Sequence, residues 1–132
     1  MTTTCDTSVL VPALTSWHTA HEEARDVLST RVDAIVGHVL VETYSVLTRL
    51  PAPYRLTARV AGAVVSGLGH RVIDMGDPRA LVSRLAEAGV VGGAAYDALI
   101  ATTAAEHGCL LLTRDRRART TYDTLGVRYE VV

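Results

Sequence analysis

Apolar residues along this chain follow two rhythms. Short unbroken runs, such as Ala34-Ile35-Val36 and Cys109-Leu110-Leu111-Leu112, have no polar alternation and read as strands buried on both faces. Between them lie longer segments with apolar residues three and four apart, the spacing of a helix with one buried side. The pattern predicts strands at Thr2–Cys5, Asp33–Gly37, Arg71–Met75, Cys109–Thr113 and Val127–Val131. It predicts helices over His18–Thr30, His38–Leu50, Arg55–Leu68, Ala94–His107 and Arg116–Leu125. One more helix starts at Asp77-Pro78, an N-cap residue followed by proline at the first helical position, and stops at Gly89. Pro51-Ala52-Pro53 breaks the chain between two helices, as a turn and not as a linker.

Strand and helix alternate, so the predicted class is α/β: a three-layer α/β/α domain with a central parallel sheet of about five strands, spanning residues 1–132. Composition narrows the chemistry. All 13 basic residues are arginine, which excludes Schiff-base enzymes, P-loop NTPases and any other site built on lysine. Phenylalanine is absent, so the core must be built from Val, Leu and Ala. Cys5 and Cys109 lack metal-ligand or disulfide spacing and read as small buried hydrophobes, as expected of a cytoplasmic protein. The N-terminus lacks a signal-peptide pattern, and no apolar stretch is long enough to span a membrane. A net charge of −1 gives no first sign of a nucleic-acid partner.

The position of the acids changes that. Ligands of an open parallel sheet bind beyond the carboxyl ends of its strands. Asp6 follows the first strand, Asp115 follows the Leu-rich one, Glu42 lies early in the helix after Ile35-Val36, and Asp97 lies in the first turn after Gly92-Gly93. All four therefore belong to one edge. Singly, Asp6 and Asp115 are also compatible with turn or N-cap roles, and Asp97 with a helix dipole. Four carboxylates gathered together need a cation, and hard oxygen ligands suit Mg²⁺ or Mn²⁺. Such a cluster serves phosphoryl transfer or phosphodiester hydrolysis.

These motifs resemble those of PIN domains, and in particular the ribonuclease toxins of VapBC toxin–antitoxin pairs. The likeness lies in Asp6-Thr7-Ser8, Glu42, Asp97 and Thr113-Arg114-Asp115, the four acids being 36, 55 and 18 residues apart, and it extends over essentially the whole chain. It implies an endoribonuclease dependent on Mg²⁺ or Mn²⁺, leaving a 5′-phosphate and a 3′-hydroxyl. Asp6, Glu42, Asp97 and Asp115 are then the catalytic metal ligands, with Thr7, Ser8 and Thr113 as supporting hydroxyls. It also implies a homodimer and inhibition by a VapB-like antitoxin. The sequence departs from the pattern after the last acid: where many relatives carry an aromatic residue or a further acid, Arg116-Arg117-Ala118-Arg119 stands, which favours a single firmly held ion.

Arg114, Arg116 and Arg119 flank Asp115 and are candidate RNA-phosphate ligands, Arg116 and Arg119 being three apart and hence on one helical face. A solvated helix start is the competing reading. His18 and His21 lack a third nitrogen or sulfur ligand, and Trp17 is expected to pack against the sheet. The Ala/Val/Gly stripe of Arg55–Leu68 is a candidate surface for a second copy or an antitoxin. Two other functions compete. A haloacid-dehalogenase-type phosphatase needs an acid where Ser8 stands and usually a lysine; a PIN-like module could bind RNA or antitoxin without catalysis. Setting the four clustered acids apart leaves ten acids against 13 arginines, a mildly basic exterior around an acidic pocket.

Overall fold

The computed structural model describes residues 1–132. Its elements, in chain order, are β1 (Thr3–Cys5), α1 (Thr7–Leu14), α2 (His21–Thr30), β2 (Ala34–Val36), α3 (Gly37–Arg49) and α4 (Ala58–Ser66), then β3 (Arg71–Ile73), α5 (Pro78–Ala88), α6 (Ala94–Glu106), β4 (Leu110–Thr113), α7 (Arg119–Thr124) and β5 (Tyr129–Val131). Every strand pairing is parallel, as the unbroken apolar runs require. Helices α1 and α3 pack on the strands from one group of helices, and α6 from another, with α2 and α4 joining the first and α5 and α7 the second.

The expected central sheet is divided. Hydrogen-bonded ladders join β1, β4 and β5 in one sheet and β2 and β3 in another. β1 and β2 still lie side by side, so the five strands run in space as β3-β2-β1-β4-β5. The seam has a local cause. The N–H of Thr3, which a ladder would use, donates at 2.8 Å to Oδ2 of Asp33, and the Thr3 hydroxyl donates to the Arg31 carbonyl. A backbone bond from Asp33 N–H to the Thr3 carbonyl at 3.0 Å crosses the seam.

α1 is the element that the sequence pattern does not reveal. Val9, Leu10, Pro12 and Ala13 are all buried, so no polar stripe marks the helical period, and Pro12 sits inside it. Three predicted helices are shorter than expected. α2 starts at His21 and not at His18, because residues 16–20 form turns. α4 starts only at Ala58, because the hydroxyl of Thr57 caps it by accepting from Val60 N–H at 3.2 Å. α7 starts at Arg119, since residues 116–118 form a turn. α5 keeps its predicted ends: Asp77 accepts from the Arg79 and Ala80 N–H groups, and Gly89 closes it at φ 70°.

The core is one main cluster of 23 buried residues, centred on Ile35, Val36, Ile100, Leu111 and Leu112. Without phenylalanine, Tyr122 is its largest fully buried side chain. Cys5 and Cys109 are both buried and free. Trp17 departs from expectation. It is 46% exposed and stacks on Tyr54, ring centres 4.3 Å apart, because it lies in the loop beyond α1 and not against a strand.

Removing the Asp33 carboxylate leaves the buried Thr3 N–H without a partner. Asp33→Ala is expected to cost about 1–3 kcal/mol in urea unfolding, with Asp33→Asn retaining most of the stability. Equal midpoints for Asp33→Ala and the parent chain would contradict this account of the seam.

Candidate active site

Asp6 leaves β1 with its N–H bonded to the Leu112 carbonyl of β4 at 3.1 Å, and then caps α1. Its side chain is almost entirely buried, and it accepts four hydrogen bonds. Oδ1 receives the Ser8 N–H at 3.0 Å and the Ser8 hydroxyl. Oδ2 receives the Thr113 hydroxyl and, at 2.8 Å, the hydroxyl of Tyr122. Burial pushes the Asp6 carboxyl above the ordinary range, and these donors pull it back. Burial and the Asp6 charge together push the Tyr122 phenol up, so it stays protonated and keeps donating.

The two hydroxyls also organise the loop after β4. Ser8 Oγ accepts the Arg114 N–H at 2.7 Å, and Thr113 Oγ1 accepts the Asp115 N–H at 3.0 Å. Each hydroxyl has one proton and sends it to Asp6, so its lone pairs are free for the backbone. The carboxylate at the end of β1 thereby sets where Asp115 stands at the end of β4.

Glu42, one turn into α3, is oriented by the Thr7 hydroxyl on Oε1 and by Nε2 of His38, 3.3 Å from Oε2. Asp115 accepts the Arg117 N–H at 2.9 Å, with the Arg117 guanidinium 3.5 Å away. Asp97 is different: it is half-buried in the first turn of α6, and no donor in the chain bonds to it. Burial, and then the neighbouring charges of Asp115, Asp6 and Glu42, hold its carboxyl up at about 6. The four acids from the ends of β1 and β4 and the starts of α3 and α6 therefore share one electrostatic neighbourhood.

The donor set suits a hard divalent cation: carboxylate oxygens only, with Asp97 unpartnered and open lone pairs on Glu42 and Asp115. Asp6 differs in having its lone-pair positions engaged within the chain. As the side chains stand, no group of three His, Cys, Asp or Glu residues is arranged to enclose an ion. The fit lies in donor type and charge and not in a closed cage.

Among the arginines, the helical pairing of Arg116 with Arg119 fails, because Arg119 is the first residue of α7 and Arg116 lies in the preceding turn. Arg117 is the guanidinium turned to the acids, contacting Asp115 and opposing the rise at Asp97. Arg114 is half-buried and lies 3.5 Å from Glu23. Tyr122, the donor to Asp6, was not marked by the sequence pattern. Its position seven residues after Asp115 carries no motif, although a polar-tipped ring in a core without phenylalanine is a signal of sorts.

Comparison with known proteins bears on the chain as a whole. The PIN domain family model matches residues 4–123. The chain is 45% identical over 130 residues to Ribonuclease VapC40 of Mycobacterium tuberculosis, covering 96% of each. It is 42% identical over 128 residues to Ribonuclease VapC27 of the same organism, covering 96% of this chain and 93% of that one. Among solved structures it is similar in fold to VapC20 of Mycobacterium tuberculosis, described as a toxin cleaving the sarcin–ricin loop, with TM-score 0.70, 18% identity and coverage of 90% and 94%. It is similar also to VapBC2 of Rickettsia felis bound to a promoter DNA fragment, with TM-score 0.68, 17% identity and coverage of 100% and 99%.

Two measurements probe the site without substrate. A carboxyl raised from 3.8 to about 6 binds its proton more tightly in the folded chain. Its contribution to stability is therefore fullest below pH 4 and is lost as pH rises towards 6. In chelator, Asp97→Asn should melt higher than the parent at pH 7.5, and the gap should shrink between pH 6 and 4 in thermal scans. A gap that does not change with pH would contradict the charge crowding. Tyr122→Phe, which takes one donor from the buried Asp6, should cost about 1.5–3 kcal/mol by denaturant unfolding.

Proposed function

The chain belongs to the PIN-domain family, among the VapC ribonucleases, and from that premise we propose that it is an endoribonuclease dependent on Mg²⁺ or Mn²⁺ and the toxin of a type II toxin–antitoxin pair. The observation that carries this reading is the convergence of Asp6, Glu42, Asp97 and Asp115 from four separate elements, with Asp97 left unpartnered among them. Asp97, Glu42 and Asp115 would hold the cation through their open lone pairs, with Asp6 beside them anchored by its four donors. Bound there, a divalent ion supplies Lewis acidity at a phosphodiester and offsets the mutual repulsion of the acids.

The chain's own residues account for the rest. Thr7 holds Glu42, while Ser8 and Thr113 fix the loop that presents Asp115. Arg117, beside Asp115 and almost fully exposed, is placed to meet an RNA phosphate at the rim, with Arg114 and Arg116 nearby and Arg119 further round the helix. A haloacid-dehalogenase phosphatase is excluded by the family. Ser8 stands where its second acid belongs and serves here to hold Asp6.

We assign protein partners to the apolar face where α3 meets α4. A groove of about 280 Å³ there is lined by Leu40, Val41, Tyr44, Gly62, Val65 and Ser66, in keeping with a VapB-like antitoxin and a homodimer. No helix is long and apolar enough to cross a membrane. Two free thiols are in keeping with a cytoplasmic protein.

Asp97→Asn and Glu42→Gln should each lower RNA cleavage by about 100-fold or more and weaken Mn²⁺ binding in calorimetry. Induction of either variant should no longer arrest growth. Parent-level cleavage in chelator would overturn the metal-dependent reading.

A further inference from the structure

Two rings flank the carboxylates without belonging to the core. His38, in the first turn of α3, and Tyr96, in the first turn of α6, lie face to face, their planes 3° apart and centres 5.3 Å apart. His38 is held by Glu42 through its Nε2, so the pair is fixed to the site. Tyr96 immediately precedes Asp97 and is 56% exposed. Its ring is therefore backed by an imidazole on one face and open to solvent elsewhere, an arrangement that adds little to folding.

The pair forms one wall of a groove of about 330 Å³, lined by His38, Val41, Glu42, Ser45, Arg49 and Tyr96. Along α3 the groove-lining residues run from His38 and Glu42 to Ser45 and Arg49, one polar stripe leading away from the acids. Arg49 lies about 10 Å along the helix from Glu42. It is exposed and forms no ion pair within the chain. Glu42 at the edge of the acid cluster, a stacked ring with an open face and a free guanidinium thus line a single trough. That sequence of groups suits a strand whose backbone is anionic and whose bases are unpaired.

We propose that Tyr96, backed by His38, is a stacking subsite for an unpaired RNA base beside the phosphate at the carboxylates, with Arg49 meeting a neighbouring phosphate. The inference rests on the ribonuclease reading and adds a preference to it. Only a base free to leave its own stack can lie on Tyr96, so single-stranded or looped RNA enters this groove and a continuous duplex does not.

The test uses the full chain, Tyr96→Ala and Tyr96→Phe, with labelled twelve-nucleotide oligoadenylate and a twelve-unit abasic ribose-phosphate oligomer as probes. Binding is followed by anisotropy in Ca²⁺, with probe integrity checked on gels. Tyr96→Ala should weaken oligoadenylate binding about tenfold, Tyr96→Phe should restore it, and the abasic probe should bind all three proteins alike. In cleavage assays the loss should appear in KM. Equal oligoadenylate affinities for Tyr96→Ala and the parent would overturn the inference, as would an equal loss for the abasic probe. A Tyr96→Ala defect in Mn²⁺ binding, or a changed oligomeric state with RNA affinity intact, would also overturn it by moving the role to Asp97 or to a protein interface. A parent chain that binds and cleaves no RNA would remove the ribonuclease reading itself, and this subsite with it.

Discussion

A carboxylate can stay buried only if its lone pairs are filled, and the satisfaction of Asp6 is the constraint on which the rest of this site depends. Its donors come from α1, from the last residue of β4 and from α7, so one side chain ties together elements more than a hundred residues apart. The tie extends further, because Ser8 and Thr113 accept the N–H groups of Arg114 and Asp115. The end of β4, the loop after it and the start of α1 are therefore not independently placed. Hydroxyls suit this junction, since each can donate to the acid and accept from the backbone at once. Alanine in their places would leave the carboxylate with two of its four donors and the two loop amides unpaired.

Around that anchor the electrostatics pull in opposite directions. Packing brings Glu42, Asp97 and Asp115 close to Asp6, and burial and like charge oppose ionisation at Asp97. Arg117 eases the crowding only in part, from an exposed position. The remaining ten acids face 13 arginines, so the molecule is acidic inside the cleft and mildly basic outside it. This is a useful polarity for a nuclease, because a polyanion is drawn to the exterior and can approach the acids closely only when a cation offsets them. With no lysine in the chain, phosphate contact falls to planar guanidiniums, hydroxyls and backbone amides.

The neighbourhood of the acids is also shaped by what surrounds them. On one side Tyr122 closes the site towards the core; on the other, Tyr96 and His38 open it to a groove running down α3. One tyrosine is wholly inside and the other largely outside, though neither is distinguished by its immediate sequence. The first uses its hydroxyl to hold a carboxylate, and the second offers a ring face.

Much of this was legible in the sequence because it is local. Apolar runs without alternation dictate strands buried on both sides, Asp77-Pro78 and Gly89 mark both ends of α5, and the strand-end rule places all four acids at one edge. Where periodicity carried no contrast the reading failed: α1 has no exposed residue, so its helix left no polar stripe, and Trp17 beyond it turned outward onto Tyr54. The expectation that Arg116 and Arg119 share a face assumed a helix that begins only after a turn capped by Asp115. The division of the sheet at β1 and β2, the Thr113 and Tyr122 donors on Asp6 and the stacking of His38 on Tyr96 all join residues distant in the chain. Sequence determined which residues had the chemistry and which edge they would reach. Tertiary structure alone decided which lone pairs were already taken, because a hydrogen bond depends on a partner's position in space and not on its place in the chain.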